Sequence, residues 1–273
     1  MSEERNLKSN SRLVVKEGGD YHTVRSNGPM TAKVAFTAQN LRANGPFSAA
    51  DSVSAGEANF NGPAKIKGSA SFGKVKFNGP AKIQGDLTIA EAVKVNGPLV
   101  LTGGLTATPE VDFKINGPYK GMFLTEAGYV KVNGPVNCGT VTNLRGLTVN
   151  GPVVADTVEV AEKLTIELGT GDTEIGMVKA TDVEVGFNLS GNENRGILGS
   201  FFRLVKSEPG FGVIDEIHAT GVVELDNVKV GKVVARELYA GENTEIGEFV
   251  ELVDEKQEEG GEQAQLPPGD QEP

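Results

Sequence analysis

The sequence predicts an all-β fold, a single-stranded parallel β-helix of three short strands per coil around a triangular core. Three observations predict it: a tripeptide that returns at a fixed period, inward-facing pairs at strand spacing, and glycines at the bends between them. Asn-Gly-Pro occurs eight times, beginning at Asn27, Asn44, Asn61, Asn78, Asn96, Asn116, Asn133 and Asn150, with steps of 17, 17, 17, 18, 20, 17 and 17 residues. A constant period of this size is the signature of a unit that stacks on itself. Steps of 18 and 20 read as small outward insertions.

Counted from each Pro, an apolar pair falls at +1 and +3, as in Met30/Ala32, Phe47/Ala49 and Ala81/Ile83. This is the period of a strand. A second pair follows at +7 and +9, as in Phe36/Ala38 and Leu87/Ile89, and a third at +12 and +14, as in Leu41/Ala43 and Val75/Phe77. The third pair has changed parity, which a straight strand cannot do without a corner or bulge. Gly68, Gly85, Gly103 and Gly139 follow the first pair, and Gly56, Gly73, Gly128 and Gly146 the second. Asn-Gly-Pro supplies the third corner, since Asn and Gly tolerate positive φ and Pro fixes its own. Stacked Asn side chains are also expected to form an amide ladder.

Asn-Gly by itself is a hairpin signal, but a meander would need nearly 14 residues of unbroken alternation between turns. A left-handed hexapeptide helix would keep strict sixes. Seventeen residues per coil favours the right-handed form.

The expected organisation is a disordered polar segment over 1–12, a β-helix over 13–253 and an acidic disordered tail over 254–273. Within the helix, 27–152 carries the regular repeats and 153–253 degenerate ones, with an irregular insertion near 186–212. Roughly a dozen coils at about 4.8 Å each make a rod of roughly 60 Å.

The chemistry expected from these residues is sparse. The net charge of -11 is assigned largely to the tail, and the body reads as mixed and without a basic stripe, so no nucleic-acid partner is expected. His22 and His218 are the only two histidines, too few for a zinc site of three. Asp112, Asp156, Asp172 and Asp182 are scattered rather than stacked, unlike the acidic cluster of a glycosidase or lyase. Gly169-Thr-Gly-Asp-Thr-Glu lacks the spacing of a calcium or phosphate loop. Cys138, the one cysteine, reads as a small buried residue. No enzyme, cofactor or metal is expected. Without a signal-peptide pattern or an apolar run of about 18 residues, the chain reads as cytoplasmic with no transmembrane segment.

A β-helix leaves strand edges and core stripes open at both ends, and these template the addition of another copy. The candidate polymer interface is Val14, Val15, Val24 and Met30 at the N-terminal end and Ile246, Phe249, Val250 and Leu252 at the C-terminal end. The partner so implied is a second copy of the chain.

The segment from Ile214 to Leu238, with its Val/Ala pairs separated by Gly, Asp and Glu, resembles the bactofilin family of polymer-forming cytoskeletal proteins. The likeness is strongest over 150–253 and covers the rest by architecture. It implies nucleotide-independent filaments joined head to head and tail to tail. It further implies a scaffold that recruits envelope or cell-shape proteins, sometimes at the membrane. The alternative is a non-polymerising β-helical adaptor that binds one protein partner through a lateral face.

Overall fold

The computed structural model describes residues 5–187, 189, 210–241 and 243–253. The acidic tail expected at 254–273 and nearly all of the insertion lie outside these residues. Among the described residues there are 27 strands in one continuous sheet, and every pairing is parallel, for example Met30↔Phe47 and Phe47↔Ala64. The chain is a β-solenoid of about 13 turns with about 17 residues per turn. A parallel strand needs its partner delivered by a crossover, and here the crossover is the rest of one coil.

A regular coil consists of a three-residue strand, such as Phe47–Ala49, and an eight-residue strand, such as Val53–Phe60. The long strand buries positions 1, 3, 6 and 8 and exposes the two adjacent residues at its middle, as at Gln39/Asn40 in Phe36–Ala43. The expected corner is therefore present, but the backbone stays paired through it. The second and third expected strands are thus two halves of one bent strand. Close approach explains the glycines: a Cβ on Gly73 would sit 2.6 Å from the Gly56 carbonyl oxygen one coil below.

The inward pairs form one core along the rod. Its widest section is aromatic. The Phe60 and Phe77 rings stack with centroids 5.1 Å apart and an interplanar angle of 8°, and Phe47 packs on Phe60 at 4.9 Å. Along one inner row large and small side chains follow each other, Phe47 in register with Ala64 and Ala64 with Ala81, as a close-packed narrow interior requires.

The Asn-Gly-Pro corner works differently from the sequence argument. None of its eight Asn residues has positive φ, and among its glycines only Gly134 and Gly151 do. Stacking imposes the glycine instead. A Cβ on Gly62 would lie 2.9 Å from the carbonyl carbon of Gly45, and one on Gly117 would lie 2.7 Å from that of Gly97. The expected amide ladder is present and continuous. Each Asn Nδ2 donates to the Oδ1 one coil below, from Asn27 to Asn10 at 2.9 Å, through Asn44 (2.8 Å), Asn61 (2.7 Å), Asn78 (2.7 Å), Asn96 (2.9 Å), Asn116 (2.9 Å) and Asn133 (2.8 Å), to Asn150 (2.9 Å). The Pro carbonyl accepts from the residue at +1 of the preceding coil, as Met30 N–H to Pro46 O at 2.8 Å.

The solenoid begins before Leu13. Residues expected to be disordered form the strand Asn6–Ser9, which pairs with Asp20–Ser26 and sets Leu7 over Val24. Here the inner row is half polar, which conceals it. Ser26 is fully buried, and its hydroxyl donates toward Ser11 O at 2.9 Å and Gly28 O at 3.0 Å.

Beyond Asn150 the repeats loosen without breaking the ladder. The short strand and half of the long one fuse into strands such as Gly212–Ala219 and Val228–Ala235. The described strands on either side of the insertion stay in register, Thr173 with Gly212. Across it, Val222 N–H reaches Asp182 Oδ1 at a separation of 40 residues instead of the usual 17.

Candidate functional site

The two ends of the rod are unlike. At the N-terminal end the Arg5 guanidinium lies 4.8 Å over the Tyr21 ring and pairs with Glu17 at 3.1 Å. The Tyr21 hydroxyl donates to Glu17 O at 2.8 Å. A charged side chain with an aromatic partner thus lies across the end coil. Val15, Val24 and Met30, expected at the interface, are enclosed at 0%, 0% and 1% exposure. The coil containing Asn6–Ser9 and Leu13–Val15 covers Val24 and Met30. Val14 occupies an outward position beside Thr31, on the lateral surface.

Among the described residues the C-terminal end is open. The last strand, Glu245–Glu251, pairs only with Val228–Ala235, placing Ile246 on Val230 and Phe249 on Val233. Both partners are fully enclosed core residues. Phe249 is 42% exposed, Val250 37%, Leu252 38% and Val253 81%. The predicted residues Ile246, Phe249, Val250 and Leu252 are thus brought together at this end, Phe249 as the unstacked member of an inner row. Glu251 is in register with buried Ala235, so one carboxylate borders the apolar end.

The sides of the rod carry a feature that contradicts the expected absence of a basic stripe. At the outward position between the third inward pair, Lys8 registers with Arg25, Arg25 with Arg42, Arg42 with Asn59 and Asn59 with Lys76. The row continues through Lys94, Lys114 and Lys131. Seven of eight consecutive coils place a cation in one straight row, all of them exposed. The row has no signal along the chain because its residues stand 17 or more apart; it lies in the residue two before each Asn-Gly-Pro. Above Lys131 the row becomes Thr148, Thr165, Glu184 and Glu224.

Two of the acidic candidates for chemistry, Asp112 and Asp182, serve the backbone, as does Asp86. Asp112 Oδ1 accepts Tyr129 N–H at 2.7 Å, Asp86 Oδ1 accepts Gly104 N–H at 3.0 Å, and Asp182 Oδ1 accepts Val222 N–H. Each carboxylate caps a corner of the next coil. Thr173 does the same inside, its buried Oγ1 accepting from Val153 N–H at 3.1 Å. His218 pairs with its neighbour Glu216 at 2.8 Å. Among the described residues no group of three or more His, Cys, Asp or Glu side chains is placed to hold a metal ion. Cys138 is buried, and burial followed by the charge of Asp156 pushes its thiol up to about 12.

A shallow open cleft of about 380 Å³ is lined by Asn143, Arg145, Glu159 and Glu162. Beside it the Tyr129 hydroxyl donates to the Glu162 carboxylate. That bond raises the phenol pKa above its ordinary value, and Arg145 lies 5.5 Å from the ring. No described helix is long and apolar enough to cross a membrane.

Fold and surface together define a β-solenoid repeat protein with one open end and one charged lateral row. No family model, curated protein or solved structure matches the chain.

Proposed function

We propose that the protein is a self-associating structural scaffold whose C-terminal end coils stack on one another. One observation carries this reading: Ile246 and Phe249 lie on continuous core rows, yet among the described residues no coil stacks on them, so a second copy would complete both the core and the strand ladder. Restoring the enclosure of one Phe and its apolar neighbours stabilises by about 1.5–3 kcal/mol for each large side chain fully covered. The resemblance to bactofilins supports the same reading, with filaments as the extended form and envelope or cell-shape proteins as cargo. Growth at the other end requires the Arg5–Glu17 pair to swing off Tyr21. This makes C-terminal pairing the first step and filament growth the second.

High-speed pelleting of the full-length chain, without nucleotide, tests the proposal. Phe249→Arg is expected to leave a folded protein that stays in the supernatant while the parent chain pellets. Equal pelleting of both excludes the C-terminal coil as the interface. A parent chain that never associates leaves the adaptor reading in its place.

A further inference from the structure

We propose that the row formed by Lys8, Arg25, Arg42, Lys76, Lys94, Lys114 and Lys131 is a binding track for an extended acidic polysaccharide. The row is straight because the coils are in register, and at about 4.8 Å per coil it runs for roughly 34 Å. Like charges at this spacing repel, and no described carboxylate pairs with them. Among the described residues the ion pairs of the rod lie elsewhere, at Arg5–Glu17, Lys74–Glu91, Lys163–Glu184, His218–Glu216, Lys229–Glu245 and Lys232–Glu248. Among the described residues, the row makes one side-chain bond, from Arg42 Nε to Asn44 Oδ1 at 3.1 Å.

The charge is also distributed by position along the chain. Residues 5–133 hold 16 Lys and Arg against nine Asp and Glu, and residues 134–273 hold ten against 26. Charge asymmetry of this size between halves points to a charged partner. On the far side of the Asn ladder, Lys65, Lys82 and Lys120 occupy the outward position of the short strands, so a ligand on the row lies within a wider basic field.

The geometry selects among polyanions. Duplex DNA winds its phosphates around an axis, and a straight row meets them only where a strand crosses it. Single-stranded nucleic acid is held by a series of exposed aromatic rings that stack on its bases, whereas Phe47, Phe60, Phe72 and Phe77 of these coils are buried and the exposed Tyr129 stands at the end of the row beside the Glu162 carboxylate. A chain of sugars with one carboxylate per ring presents its charges in single file along an extended strand, as the row presents its cations. Lysine and arginine engage such carboxylates by charge-assisted hydrogen bonds. The face is distinct from the end coils, so the inference does not depend on self-association.

The test titrates the full-length chain with polygalacturonate, beside neutral dextran and a single-stranded oligonucleotide of matched charge, over about 50 to 200 mM salt. Polygalacturonate is expected to bind, dextran not, and the oligonucleotide more weakly. The triple variant Lys76→Gln, Lys94→Gln, Lys114→Gln is expected to lose at least about tenfold in affinity and to reduce the slope of log K against log salt by about 2. The same three positions as Arg are expected to retain binding. A control triple away from the row, Lys16→Gln, Lys179→Gln, Lys229→Gln, is expected to change affinity less than about twofold. Unchanged binding by the row variant, or equal loss in both triples, overturns the proposal. Tighter binding of the oligonucleotide assigns the row to nucleic acid and overturns it too. So does polyanion-free association of the parent chain that the row variant abolishes, which makes a second copy the occupant.

Discussion

Replacing Asn78 by Ala removes one rung of the amide ladder and isolates its effect. Asn78 makes two ladder bonds, donating to Asn61 at 2.7 Å and accepting from Asn96 at 2.9 Å. Each such bond contributes about 0.5–1.5 kcal/mol net, so the loss is about 1–3 kcal/mol. Part of this is recovered where water reaches the half-buried corner. Asn10, at the foot of the ladder, only accepts from Asn27, so Asn10→Ala should cost about half as much. Ser48→Ala, at an outward position of a short strand, serves as the control. The assay is urea unfolding followed by circular dichroism, read locally by amide hydrogen exchange, because a solenoid's stability is a sum over neighbouring repeats and need not be lost in one step. Protection is expected to fall most in the coils of Asn61, Asn78 and Asn96. An Asn78→Ala protein no less stable than the Ser48 control would refute the idea that the ladder contributes stability.

Gly62→Ala puts a Cβ 2.9 Å from the backbone of Gly45, and because the obstacle is backbone the coils must part. A cost of about 1–3 kcal/mol is expected from overpacking, measured as a lowered urea midpoint. Cys138 is expected to resist alkylation at pH 8 in the native protein and to react on unfolding, since its native thiol titrates near 12 while an unfolded one titrates at about 8.5. Between those values the folded state holds the proton and the unfolded state loses it, so this contribution to stability is full below about pH 8.5 and declines as pH rises. Cys138→Ala should flatten that decline relative to the parent in unfolding curves taken from pH 8 to 11.

Much of the fold is legible in the sequence because its period and its inward pairs are one phenomenon. A residue such as Phe77 recurs in register with Phe60 and Val95, and the core follows by superposing coils. The ladder was legible for a related reason, since identical residues 17 apart must stack. Three features were not. The first coil is masked by Ser9 and Ser26 on the inner row, where hydroxyl bonds to Ser11 and Gly28 replace apolar packing. The Arg5 cap has no periodic signature, because it depends on where one long side chain falls on Tyr21. The cationic row contradicts the expected mixed body without a basic stripe, because the outward residue between two inward ones carries no pattern along the chain. Its order exists only across coils. The glycines of Asn-Gly-Pro were assigned to the corner for their tolerance of positive φ, which only Gly134 and Gly151 use; the common cause is the short distance between stacked coils.

The open C-terminal coil is the centre of the functional account, and electron microscopy of the purified chain in negative stain tests it most directly. One rod measures roughly 60 Å, from about 13 coils at about 4.8 Å. The account predicts particles of about twice that length at low concentration and longer ones as concentration rises, with Phe249→Arg reverting to single rods. Single rods from the parent chain at every concentration would contradict it.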